Sequence, residues 1–176
     1  MKIRVGTGFD AHAFGPGDSV ALGGIRVPHT RGVVAHSDGD VILHALCDAL
    51  LGAAGLGDIG QHFPDTDTRW KGAESSVFVT EVHGKLARLG YEVGNVDLTL
   101  LAQGPRIAGH REAIRRRIAS LLGLDDQCVN LKATTTEYLG FIGRSEGIAA
   151  LATVLITSSS APPATGTAAG PAAGAA

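Results

Sequence analysis

Two apolar periodicities alternate along the first 156 residues of this chain, and few folds accommodate both. Val96, Leu98 and Leu100 alternate with Asp97 and Thr99, the two-residue period of a half-buried strand. Leu43, Leu46, Cys47 and Leu50 stand at i, i+3, i+4 and i+7, one stripe of a helix. A strand from Ile3 toward His12, another over Ala21 to Val27, and later strands at Val129–Ala133 and Ile148–Ile156 are predicted in the same way. Helices are predicted from a cap at Ser37 or Asp38, from Ala73 to Arg88, and after Pro105 to near Gly123. The sum is an α/β fold, an α+β layer in which a mixed sheet carries helices on one face. The other face needs a partner, so a sheet-to-sheet contact between copies of the chain is expected.

The expected domain spans residues 1–156. Residues 157–176 hold only Ala, Gly, Pro, Ser and Thr. With almost nothing to bury, this tail is expected to be disordered. In the whole chain, 44% hydrophobic residues and a net charge of −2 exclude general disorder and argue against a nucleic-acid or membrane partner. Aromatic residues are 5%, too few for a base-stacking platform. Cys47 and Cys128 form no CxxC motif and read as buried thiols. No stretch approaches the roughly 18 apolar residues of a membrane helix, and the expected location is the cytoplasm.

Candidate chemistry concentrates in three places. Asp10 and His12 fall on one face of the first strand. His44 lies on the helix that follows, flanked by Asp40 and Asp48 at i−4 and i+4. Asp10, His12 and His44 with one position left open make a catalytic type of zinc site, and Asp48 is a candidate acceptor for an imidazole proton. Taken alone, an Asp-x-His pair is as readily a surface feature. The neighbouring His36-Ser37-Asp38-Gly39-Asp40, at a helix start, adds groups suited to phosphate oxygens. Lys132-Ala133-Thr134-Thr135-Thr136-Glu137 offers hydroxyls and a carboxylate suited to a phosphate and a hard divalent cation. Asp58-Ile59-Gly60 and Phe63-Pro64-Asp65-Thr66-Asp67 form an acidic, turn-like stretch. Gly6-Thr7-Gly8-Phe9-Asp10-Ala11 mimics a dinucleotide loop, but Gly15-Pro16-Gly17 blocks the helix that must follow.

These motifs, in this order, resemble the 2-C-methyl-D-erythritol 2,4-cyclodiphosphate synthase family over residues 2 to about 156. They are Gly8-Phe9-Asp10-Ala11-His12, Ala35 to Asp40 with His44, Gly57 to Gly60, Phe63 to Asp67, Lys132 to Glu137, and Gly140-Phe141 with Gly143-Arg144. The resemblance implies a homotrimer whose sheets face a three-fold axis, with sites between subunits. It implies that Asp10, His12 and His44 bind Zn2+ or another divalent cation, and that Glu137 helps hold Mg2+ or Mn2+. The implied reaction cyclises 4-diphosphocytidyl-2-C-methyl-D-erythritol 2-phosphate and releases CMP. His36 and Thr135 would then steady the transition state. Asp10, Ala11, His12, His36, Ser37, Asp58, Ile59, Gly60, Phe63, Pro64, Asp65, Thr66 and Asp67 would contact the substrate. Ala102-Gln103-Gly104-Pro105-Arg106-Ile107 would hold cytidine, with Ala133, Thr134, Thr135, Thr136 and Glu137 beside it. The family pattern has alanine where Gly104 stands, and often lysine at Arg106. Phe9, Phe141 and Arg144 match residues around an axial cavity that takes isoprenoid diphosphates in relatives. A metal-dependent nucleotide-diphosphate phosphohydrolase is the competing enzymatic reading, and a non-catalytic trimer binding isoprenoid diphosphates is the competing binding one.

Overall fold

Glycines at positions 6 and 8 let a helix lie directly on a strand. In the computed structural model, which describes residues 1–158, Lys2–Gly15 forms strand β1, and Val41–Ala54 forms helix α1 against it. A Cβ on Gly8 would lie 2.0 Å from the Ala45 carbonyl oxygen, and one on Gly6 would lie 2.0 Å from that of Ala49. Both glycines are therefore contact surfaces between strand and helix. Replacing Gly8 with alanine should destabilise the fold by about 3 kcal/mol through overpacking, measured by urea denaturation. A loss below about 0.5 kcal/mol, the size of an ordinary surface change, would mean the helix can lift without penalty.

β2 (Ser19–Leu22), β3 (Ile25–Pro28) and β4 (Gly32–Val33) precede α1. After it come α2 (Ile59–His62), α3 (Ser75–Arg88), β5 (Glu92–Leu101), α4 (Arg111–Leu122), β6 (Val129–Thr134), α5 (Gly140–Gly143) and β7 (Gly147–Ser158). The main sheet runs β4-β1-β7-β5-β6. It is mixed, as expected: β1 and β5 both pair antiparallel with β7, whereas β5 and β6 are parallel. α1 covers β1 and β7, α4 covers β6, and α3 packs on α1. Leu43, Leu46, Cys47 and Leu50 are all fully buried. The opposite side of β1 and β7 leaves Ile3, Val5, Phe9 and Leu151 exposed, because strand side chains alternate between faces.

Several boundaries differ from the sequence reading. The single strand expected over Ala21–Val27 is a hairpin. Gly23 and Gly24 both adopt positive φ, 62° and 77°, and Leu22 pairs with Ile25. Such a two-residue turn matches the twist of the strands it joins. Helix α1 is capped by Asp40, not by Ser37 or Asp38. Pro105 does not open α4, since the chain first runs through a loop to His110, the residue that precedes the helix. β7 continues to Ser158, pairing with Lys2 and so passing the boundary expected at 156. The rest of the expected tail, residues 159–176, lies outside the described residues. Of the two cysteines Cys47 is buried, which pushes its thiol up, while Cys128 is only half-buried.

Candidate functional site

Even-numbered residues of β1 face α1, and past Gly8 that row continues as Asp10 and His12. His44, in the first turn of α1, comes down beside them. Asp10 Oδ2 lies 3.0 Å from His12 Nε2 and 3.0 Å from His44 Nδ1, and the two nitrogens are 3.1 Å apart. These three residues form a cluster that could hold a metal ion. Zinc with ligands at about 2.1 Å in a tetrahedron would set them roughly 3.4 Å apart, so the donor set and its spacing both suit such an ion. Burial raises the Asp10 carboxyl. Hydrogen bonds and charge from His12 and His44 more than reverse this and hold it well below the usual carboxylate range.

The far nitrogen of the His44 ring has partners that sequence spacing did not indicate. Nε2 lies 2.8 Å from Ser75 Oγ and 3.1 Å from Ser37 Oγ. Ser75 Oγ donates to Asp38 Oδ1 at 2.5 Å, and Ser75 N donates to Asp38 Oδ2 at 3.1 Å. The expected role of Asp48 is not observed: its Oδ1 accepts from Ile59 N at 2.7 Å, pinning α2 to α1. Asp40 also leaves the expected polar stripe. Fully buried, it accepts from Gly23 N (2.9 Å), Gly24 N (2.6 Å), Ile42 N and Leu43 N (both 3.1 Å). Burial pushes its carboxyl up against these N–H donors.

A cavity of about 380 Å³ opens over the cluster. Asp10, His12, His36, Ser37, His44, Ile59, Gly60, Phe63 and Asp65 line it, all of them expected site residues. Ala35 lines it too, as do Val34, Trp70 and Phe78, which the sequence reading left out. Phe63 and Phe78 pack with ring centroids 4.7 Å apart, and Trp70 stands edge-on to them at 5.2 and 5.6 Å. His36 Nε2 and Trp70 Nε1 are buried there without a hydrogen-bond partner among the described residues. Ala11, Asp58, Pro64, Thr66 and Asp67 do not line this cavity. Ala11 belongs to the other face of β1, Asp58 caps α2, and Asp67 pairs with Arg69 at 2.5 Å.

A second cavity, about 430 Å³, is lined by Ala102, Gln103, Pro105, Arg106, Ile107, Ala133, Thr134, Thr135 and Glu137. Arg111 and Tyr138 join them, neither identified from sequence. Glu137 and Tyr138 hold positive φ, 51° and 64°, a strained backbone for such side chains. Thr135 Oγ1 donates to Glu137 Oε1 at 3.0 Å. Gly104 and Thr136 do not line the cavity, and a Cβ at Gly104 would meet nothing nearer than His29 Nε2 at 3.7 Å. Phe141 is exposed, and Arg144 pairs with Glu146 at 2.8 Å. The two cavities have no lining residue in common.

Three side chains that could hold a metal ion, in a cavity also lined by His36 and Ser37, mark the class of proteins with a candidate metal site suited to phosphorylated small molecules. Residues 3–157 match the model of the YgbB family, and the chain belongs to that family. It is 61% identical over 156 residues to 2-C-methyl-D-erythritol 2,4-cyclodiphosphate synthase of Xylella fastidiosa, covering 89% of each chain. The bifunctional IspDF of Campylobacter jejuni has a TM-score of 0.86 at 46% identity, over 89% of this chain and 42% of that longer one. The CDP complex of Plasmodium falciparum IspF has a TM-score of 0.78 at 34% identity, over 89% of this chain and 96% of that one. Among the described residues, no helix is long and apolar enough to cross a membrane.

Proposed function

We propose that this protein converts 4-diphosphocytidyl-2-C-methyl-D-erythritol 2-phosphate to 2-C-methyl-D-erythritol 2,4-cyclodiphosphate and CMP. The observation that carries this reading is the Asp10, His12 and His44 cluster, 3.0 to 3.1 Å between ligand atoms, in a chain 61% identical to a synthase of that name. Asp10, His12 and His44 would hold zinc, and Glu137 would help hold a magnesium or manganese ion. When bound, these ions offset charge on the phosphate oxygens and on the departing CMP.

An oxygen of the 2-phosphate attacks the β-phosphorus, and the bond from that phosphorus to the bridging oxygen of CMP breaks. CMP takes the electron pair, so no side-chain nucleophile is required. Since both reacting groups belong to one molecule, alignment is the main task, worth on the order of 7–11 kcal/mol in well-oriented cases. The first cavity serves alignment: Ile59, Gly60, Phe63 and Asp65 confine the erythritol end, and the unpaired His36 Nε2 faces a phosphate oxygen. The Ala102–Ile107 loop holds cytidine, with Ala133 to Thr136 against the phosphates. Thr135 and His36 steady the transition state from opposite cavities.

One substrate needs both cavities, and the two share no lining residue. A site between neighbouring subunits of a homotrimer brings them together, with the apolar face of Ile3, Val5, Phe9 and Leu151 turned to the axis. Phe9, Phe141 and Arg144 then surround an axial space suited to an isoprenoid diphosphate. The setting is the cytoplasm.

Phosphorus NMR of the protein with this substrate, zinc and magnesium tests the reading. CMP and a cyclic diphosphate should appear together, and a chelator should stop both. An open-chain diphosphate beside CMP would make water the nucleophile and the protein a phosphohydrolase. Absence of turnover would leave a binding protein.

A further inference from the structure

Ser75 and Asp38 lie on the side of His44 away from the metal position. Ser75 is fully buried at the start of α3 and does not line the first cavity, so substrate cannot reach it. Ser37, by contrast, lines that cavity and accepts from Gly39 N at 3.3 Å. Two hydroxyls thus approach His44 Nε2, one facing the substrate space and one facing the interior.

The interior arrangement has a direction. A serine hydroxyl has a single hydrogen to donate. Asp38 collects three donors, Ser75 Oγ at 2.5 Å, Ser75 N at 3.1 Å and Asp40 N at 3.2 Å, and a carboxylate has no hydrogen to return. The Ser75 hydrogen is therefore committed to Asp38, and its lone pairs face His44 Nε2, 2.8 Å away. Only an Nε2 that carries a hydrogen completes that contact.

We infer that Asp38 and Ser75 form a positioning relay that, once a metal ion replaces the 3.0 Å contact between His44 Nδ1 and Asp10, keeps the His44 hydrogen on Nε2 and so presents the Nδ1 lone pair to the ion. Hydrogen bonds that orient a ligating imidazole in this way commonly govern metal affinity about 10–100-fold. Here the relay also ties two separate elements to the ligand. Asp38 belongs to the loop that leads into α1, and Ser75 opens α3, so the Nε2 side of the ring is tied through Ser75 to both. Ser37 is left free to give its own hydrogen to a phosphate oxygen.

The relay rests on the zinc reading, and its test separates the two. Zinc affinity is measured by chelator competition on the full chain, for the unchanged protein, Ser75→Ala, Asp38→Asn and the double variant. Each single variant should bind zinc about 10–100-fold more weakly. Asp38→Asn acts by reversal, because its amide can donate to Ser75 and turn the hydroxyl hydrogen toward His44. Since both changes break one relay, the double variant should lose no more than the worse single one, a strong departure from additivity. In zinc-loaded protein with labelled histidine nitrogens, the His44 Nε2–H proton should be visible by NMR and should vanish in Ser75→Ala. If Ser75→Ala does not fold, Asp38→Asn alone must show both effects. Affinity within about threefold of the unchanged protein in both single variants overturns the relay, as do additive losses. An unchanged protein that binds no zinc overturns the zinc reading and the relay with it.

Discussion

An Asp10→Asn protein should fold, yet turn over at least about a thousandfold more slowly and no longer retain zinc. The substitution keeps the shape of the side chain but removes the anionic oxygen that His12 and His44 share, each 3.0 Å away. Charge stabilisation of a transferring phosphoryl group by a bound metal amounts to several kcal/mol. At 1.36 kcal/mol per decade of rate, that is roughly three powers of ten. Turnover and bound zinc should therefore fall together, while circular dichroism of the variant stays unchanged. Turnover within tenfold of the unchanged protein would place the chemistry elsewhere.

The second large effect falls on a buried residue that lines neither cavity. Asp40→Ala should remove about 4 kcal/mol of stability, a large share of the roughly 5–15 kcal/mol typical of a whole domain. Its carboxylate caps α1 through Ile42 N and Leu43 N and closes the β2–β3 turn through Gly23 N and Gly24 N. Loss of a helix cap alone costs about 0.5–2 kcal/mol, and each buried donor left unpaired adds about 1–3 kcal/mol. Urea denaturation of the zinc-free protein measures the change. A loss below about 1 kcal/mol, no more than a single ordinary cap, would mean that water or a shifted backbone replaces the carboxylate.

Much of this architecture was legible because it is local. The stripe from Leu43 to Leu50 and the alternation from Val96 to Leu100 are periodicities within one element, and both residue sets are buried as expected. Asp10 and His12 were readable for the same reason, two positions apart on one strand. Pro105 suits a helix's first turn, but that preference does not fix where a helix begins, and the chain reaches α4 only after His110. The hairpin carried a signal that was missed, two adjacent glycines between apolar residues. Asp40 and Asp48 illustrate a harder limit. Helical spacing places them near His44, but their partners, Gly23, Gly24 and Ile59, come from other elements. Ser75 could not be found by spacing at all, because 31 positions separate it from His44. Trp70 and Phe78 reach the cavity wall only once α3 has packed.

The contact of α1 with Gly6 and Gly8 makes ion affinity and conformational stability one thermodynamic quantity. His44 rides on the helix, Asp10 and His12 on the strand, and the separation between those backbones is set where no Cβ intervenes. The unfolded chain has no such convergence, so an ion that binds only the folded form adds its binding free energy to folding. A free concentration one hundredfold above the dissociation constant adds about 2.7 kcal/mol. By the same linkage, a substitution that widens the helix–strand gap at Gly6 or Gly8 loosens the grip on the ion without touching a ligand.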